Sequence, residues 1–139
     1  MEIKTDIQIR HYRSEDYPTL RAWWQIHDAE RMHETMIPPS SVVVEDAKGL
    51  AAFAAVFLCN SNFVAFCHGL VTRPGLNLGD SMIINEVLQD GIDIIMRESG
   101  HKILISSVCG EAMVRGAKRL GFQTKGVECT QISRLVSPV

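Results

Sequence analysis

Apolar and polar positions alternate with period two across Ile7-Gln8-Ile9-Arg10-His11, the pattern of a half-buried strand. The period then changes. Ser14 stands where a helix N-cap would, Glu15 and Asp16 suit the positive end of a helix dipole, and Leu20, Trp23, Trp24 and His27 follow at helical spacing. A helix is expected from Ser14 to just before Asp28, with one tryptophan of the adjacent pair in the core and the other half covered. A second short helix is expected over 29–37, where Met32 and Met36 lie four apart and Pro38-Pro39 ends the run.

The β-branched run Val42-Val43-Val44, continuing to Glu45, reads as a strand, and Asp46-Ala47-Lys48-Gly49 as a turn. Leu50 to Cys59 and Phe63 to Thr72 are continuous apolar runs, as in central strands covered on both faces. No Asp, Glu, Lys or Arg occurs from Gly49 to Thr72, which raises the question of a membrane span. Asn60-Ser61-Asn62 divides the segment into two pieces too short to cross a bilayer as helices, so an antiparallel hairpin is expected instead. Beyond Arg73-Pro74-Gly75, Asp80 is positioned to cap a long helix whose stripe is Ile84, Val87, Leu88, Ile92 and Ile95, with Gly100 as its stop. A strand over 101–108, a helix from Glu111 to Leu120 with Gly121 after it, and two strands over 123–129 and 131–136 complete the chain.

The resulting order is β-α-α-β-β-β-α-β-α-β-β, an α/β (α+β) fold with an antiparallel meander followed by one β-α-β crossover. At 139 residues and 15.5 kDa, one domain over 1–139 is expected. The net charge of -2 lacks the positive field of a nonspecific nucleic-acid binder. Cys59, Cys67, Cys109 and Cys129 form no C-x-x-C pair, which points to free thiols in a reducing cytoplasm. The first six residues hold no apolar signal core, so neither secretion by that route nor a membrane location is expected.

Element order, the capped first helix after Ile7-Gln8-Ile9-Arg10, Leu70-Val71 leading into a glycine loop and helix, and Lys118-Arg119-Leu120-Gly121-Phe122 carry a resemblance that spans Ile7 to Val136. The sequence resembles the GNAT superfamily of acyl-CoA-dependent N-acyltransferases. Asp16-Tyr17-Pro18-Thr19-Leu20 with Trp23-Trp24 is also similar to small GNAT-like proteins of bacteriophages and prophages. The resemblance implies a mixed sheet whose fourth and fifth strands splay apart. It also implies acetyl-CoA or another acyl-CoA as cosubstrate, and transfer of the acyl group to an amine on a small molecule or a protein. The alternative is a GNAT-fold phage or prophage protein that has lost catalysis and binds a phage protein or serves a structural role. A homodimer is compatible with either.

In that family a motif close to V-x-P-x-x-[QR]-x-x-G-x-[GA] follows the fourth strand, and its main-chain N–H groups hold the pyrophosphate of coenzyme A. Laid on Val71, it makes Leu70, Val71, Thr72, Arg73, Gly79, Asp80 and Ser81 the cofactor-binding candidates. Three features depart from it: proline falls one place late at Pro74, Leu76 takes the Gln or Arg position, and the Asp80 carboxylate would repel a pyrophosphate unless Arg73 turns inward. The plainer reading of the same residues is a helix entry capped by Asp80.

The family's usual acid, a tyrosine four residues before the glycine of "G-F", is replaced by Ala117. His68 on the fourth strand and Cys109 before the last helix are the catalytic candidates, each weighed against an ordinary buried side chain. His27, Glu30, His33 and Glu34 lack a zinc spacing and read as a solvated face, so no metal is expected. Arg115, Lys118, Arg119 and Lys125 form the basic cluster, with helix-dipole compensation as its ordinary role.

Overall fold

Burial follows the apolar pattern into a five-stranded mixed sheet in a computed structural model of the chain. The structure describes residues 6–29, 31–60, 63–106 and 111–123. They fall into two compact units, Met1–Val108 and Cys109–Val139, each considered by itself below.

In the first unit the strands are β1 (Gln8–His11), β2 (Val42–Asp46), β3 (Gly49–Leu58), β4 (Val64–Thr72) and β5 (Ile103–Ser106), side by side in chain order. β1 to β4 are antiparallel neighbours, and β5 joins β4 in parallel after the crossover helix α2 (Leu78–Ser99). The expected hairpin is present, with Leu58 opposite Ala65 and Ala52 opposite Thr72. The turn residues Ser61 and Asn62 lie outside the described residues.

β3 is the centre of the core, and Ala51 to Val56 are fully buried. Alternation sends Ala52, Ala54 and Val56 toward α2, where Ile84, Leu88, Ile92 and Met96 meet them. It sends Phe53 and Ala55 to the opposite face, against Leu20, Trp23 and Trp24 of α1 (Tyr17–Ile26). The small β3 side chains admit bulky helix residues on both sides. α2 also comes close to the sheet's far edge, since a Cβ on Gly91 would lie 2.7 Å from Ile9 Cγ2 and 2.9 Å from Val42 Cγ1.

Four expectations need correction. Ser14 does not cap α1: it opens a single 3₁₀ turn, Ser14–Asp16, and α1 begins at Tyr17 with Pro18 in its first turn. The Asp16 carboxylate instead receives the Arg13 N–H and both outer nitrogens of Arg10, which fix it away from the helix end. The helix expected over 29–37 is reduced to the 3₁₀ turn Glu34–Met36, because Asp28 enters the left-handed region at φ 52 and the double proline follows closely. Met32 is consequently buried while Met36 is exposed. Both tryptophans are in the core, Trp23 at 7% and Trp24 at 1% exposure, because Met32 and Tyr17 close over α1. Finally, β4 is not covered on both faces along its length: Phe66 and Leu70 are exposed.

In the second unit α3 (Glu111–Arg119) ends as the sequence predicts. Gly121 N–H reaches Lys118 O and Phe122 N–H reaches Ala117 O, the paired bonds of a Schellman stop. α2 ends in the same way, with Gly100 N–H on Arg97 O and His101 N–H on Met96 O. The two terminal strands expected over 123–129 and 131–136 lie outside the described residues, apart from Gln123, which is not in a strand.

Candidate functional site

β4 changes register in its middle. Ala55 pairs with His68 but Phe53 pairs with Val71, so Gly69 and Leu70 together oppose Ala54 as a β-bulge. Gly69 has φ 65, and its carbonyl accepts the Trp24 indole N–H at 3.2 Å. The described pairs of β4 with β5 run from Val64–Ile103 to Cys67–Ser106. The C-terminal half of β4, from His68 to Thr72, thus leaves the described part of β5 behind. The expected parting of the fourth and fifth strands falls on residues 107–110, which lie outside the described residues.

His68 is half-buried and stands opposite Ala55, which places it on the α1 face of the sheet. Its imidazole has no hydrogen-bond partner among the described residues. Val71 is in the core on that same face, and Leu70 is exposed. Thr72 O lies 2.9 Å from His27 Nε2; a carbonyl only accepts, so this nitrogen carries the hydrogen. Cys109 lies outside the described residues. Cys67, one residue before His68, is a core thiol: burial pushes it up to about 11, against a smaller opposing hydrogen bond with Ser106, so it stays protonated at neutral pH.

Arg73 is engaged at the β2–β3 turn. Its guanidinium grips both oxygens of Asp46 and also donates to Leu50 O at 2.9 Å, tying the end of β4 to the β2–β3 turn. Arg73 holds the Asp46 carboxyl below the usual carboxylate range, overcoming the opposite effect of burial. Asp46 in turn raises the Arg73 guanidinium.

The α2 cap is Asn77 rather than Asp80. Asn77 Oδ1 accepts the Asp80 N–H at 2.8 Å, and Asn77 Nδ2 donates back to Asp80 Oδ2 at 3.1 Å. Two of the three N–H groups assigned to an anion are therefore already used: that of Asp80 by the Asn77 side chain and that of Ser81 by Asn77 O at 2.9 Å. The open donors lie slightly earlier. Gly75, Leu76, Asn77, Leu78 and Gly79 form a run whose main-chain N–H groups have no acceptor among the described residues. It leads into the positive end of a 22-residue helix.

His68 and Val71 stand on β4 as the sequence predicts, Gly79 is the second residue of α2 rather than the end of the loop before it, and the brace behind β4 was missed. Trp24, Met32 and His27 all meet the C-terminal half of β4 from α1 and the turn after it. A glycine inside an apolar strand run was the available signal for the bulge. Nothing in the sequence marked the open cleft of about 460 Å³ that Arg21, Trp24, Gln25, Asp28, Ala29 and Arg31 line at the end of α1. His27, His33 and Glu34, read from the sequence as part of a solvated face, are exposed, with His27 bonded to Thr72 O and His33 to Thr35.

No protein-family profile matches the chain. A probable dual-specificity RNA methyltransferase RlmN of Chlorobium phaeobacteroides is 31% identical over 78 residues, 55% of this chain; the chain spans about a fifth (21%) of that enzyme's length. Solved structures match more broadly. Ard1 from Thermoplasma volcanium superposes with a TM-score of 0.68 at 16% identity, covering 85% of this chain and 83% of that one. An acetyltransferase from Trypanosoma brucei gives 0.65 at 14%, covering 92% and 100%. N-acetylglutamate synthase from Neisseria gonorrhoeae, solved with coenzyme A and L-arginine, gives 0.62 at 21%, covering 82% of this chain and 27% of that one. No helix among the described residues is long and apolar enough to cross a membrane. With its mixed five-stranded sheet, bulged fourth strand and crossover helix, the chain has the fold of the GNAT acetyltransferases.

Proposed function

We propose that the chain transfers an acyl group, most simply acetyl, from acyl-CoA to an amine on a small molecule or a protein. One observation carries this reading: the open N–H run of Gly75 to Gly79 enters α2 directly after the bulged half of β4. Main-chain donors at a helix N-terminus suit a pyrophosphate. The part of β4 beyond Cys67, which has no β5 partner among the described residues, suits the extended pantetheine arm, with Leu70 the exposed residue of the bulge.

In the proposed reaction the amine nitrogen attacks the thioester carbonyl, the C–N bond forms, the C–S bond breaks, and amide and CoA thiol result. His68, on the α1 face beside the bulge, is assigned the amine's proton; the leaving thiolate is protonated by water or by Cys109. Proximity supplies most of the acceleration.

A thermal-shift titration with CoA and acetyl-CoA tests the reading, since a ligand at a hundred times its Kd adds about 2.7 kcal/mol. Thiol release with a panel of amines then tests transfer. An unchanged melting temperature at millimolar CoA would sink the proposal. The Asp80 carboxylate beside the open donors favours a second reading, a noncatalytic binding or structural role. Binding of CoA without thiol release would establish it.

A further inference from the structure

The cleft at the end of α1 has a chemistry that acyl-CoA recognition does not use. Arg21, Trp24, Gln25 and Asp28 recur at intervals of three, four and seven residues from Arg21, and so share one face of α1 and the turn after it. Arg31 and Ala29 complete the lining of about 460 Å³, a size that suits a small molecule.

Its two guanidinium groups are uncommitted among the described residues. Arg10 and Arg73 each grip a carboxylate with two nitrogens, whereas neither Arg21 nor Arg31 has a hydrogen-bond or ion-pair partner among the described residues. Asp28 is the single carboxylate of the lining among the described residues. The planar donor fork of arginine matches carboxylate and phosphate oxygens pairwise. The floor of the cleft connects it to the bulge: Trp24, which lines the cleft, also holds Gly69 O with its indole N–H, one residue from His68.

We propose that this cleft takes the oxyanion group, carboxylate or phosphate, of the amine acceptor, with Arg21 and Arg31 as its ligands. The assignment rests on the acyl-transfer reading for the word acceptor, and on the cleft alone for the oxyanion. It makes Arg21 and Arg31 specificity-determining residues that select anionic amines over neutral ones of equal size.

The test uses the full chain and three small amines: O-phosphoethanolamine, β-alanine and ethanolamine, titrated while the Trp24 indole N–H signal is followed by two-dimensional NMR. The two anionic amines, or one of them, are expected to move that signal, and ethanolamine is not. The arm that responds names the source of the oxyanion. Arg21→Gln with Arg31→Gln should weaken the response at least about tenfold, the scale of losing a charged hydrogen bond. Both residues are exposed, so the melting temperature and the CoA-induced shift should stay as in the wild type. Equal binding of ethanolamine, or undiminished binding in the double variant, overturns the assignment. A wild-type chain that binds CoA but neither anionic amine overturns the cleft and spares the transfer reading. Arginine-dependent binding without any CoA binding does the reverse.

Discussion

The indole N–H of Trp24 donates to the carbonyl of Gly69, joining residues 45 apart in sequence at the one place where β4 leaves regular register. A bulge turns a carbonyl out of the ladder, and a buried carbonyl without a donor is costly. Trp24 supplies that donor, and Met32 packs beside it, where its thioether sulfur would collide with a Gly69 Cβ. The irregular half of β4 is thus held in shape from α1.

Gly69→Ala should destabilise the protein by about 2 kcal/mol, combining a left-handed backbone with the collision against Met32. Denaturant unfolding measures it. Met32 is flexible at its end, so in a Met32→Ala background the alanine at 69 should cost less, leaving mainly the backbone contribution. A cost that is the same in both backgrounds would show that Met32 does not brace the bulge.

Two buried or half-buried carboxylates couple stability to acid. Burial alone would raise the Asp16 carboxyl, but hydrogen bonds from Arg10 and the Arg13 N–H outweigh it and hold it below its ordinary value of 3.8. Asp46 is lowered mainly by Arg73. Below 3.8 and above the depressed folded values, the unfolded chain binds more protons than the folded one, so stability falls as pH falls through that window. Chemical unfolding at pH 6, 4 and 3 should show the loss. Asp46→Asn should cost about 2 kcal/mol at pH 6 and flatten the slope below pH 4. A slope as steep as that of the wild type would remove Asp46 from this account.

At the α2 entry, capping and charge reside on different residues. Asn77→Ala should cost about 1 kcal/mol of stability by removing the acceptor for the Asp80 N–H. Asp80→Asn keeps that cap and removes the carboxylate beside the open donors, so it should tighten CoA binding in calorimetry. Weaker binding by a folded Asp80→Asn chain would place the pyrophosphate elsewhere.

Hydrophobic period made most of this fold legible. The alternation at Ile7 to His11, the two uncharged runs and the stripe from Ile84 to Ile95 each follow from burying one face, and each element was found within a few residues. Caps were less legible because several polar residues compete for each one. Ser14 lost its place to a 3₁₀ turn organised by Asp16 and Arg10, and Asp80 lost its place to Asn77, three residues earlier. Arg73 is the clearest miss: its partner Asp46 is 27 residues away, and only the β2–β3–β4 register brings the two together. The bulge was foreshadowed by Gly69, but its brace by Trp24 and Met32 depends on how α1 crosses the sheet, which no local pattern encodes.

At position 117 the chain carries alanine where the resemblance expects a tyrosine acid. Ala117 lies in the last turn of α3, four residues before Gly121, where the resembled family carries a tyrosine to protonate the departing thiolate. Under the proposed acyl transfer, reaction with simple amines should then be slow, since water or Cys109 is left to protonate the thiolate. A positioned acid contributes typically 10² to 10⁴-fold, so Ala117→Tyr should raise kcat by about 10²-fold while leaving the Kd for CoA unchanged. Steady-state thiol release gives the rate, and calorimetry gives the affinity. The Cys109→Ala variant separates the two proton sources, since it should slow the wild-type chain only if that thiol is the substitute acid. A wild-type kcat that neither substitution changes would mean that the acid resides on some other residue, and that α3 does not take the catalytic place the resemblance assigns to it.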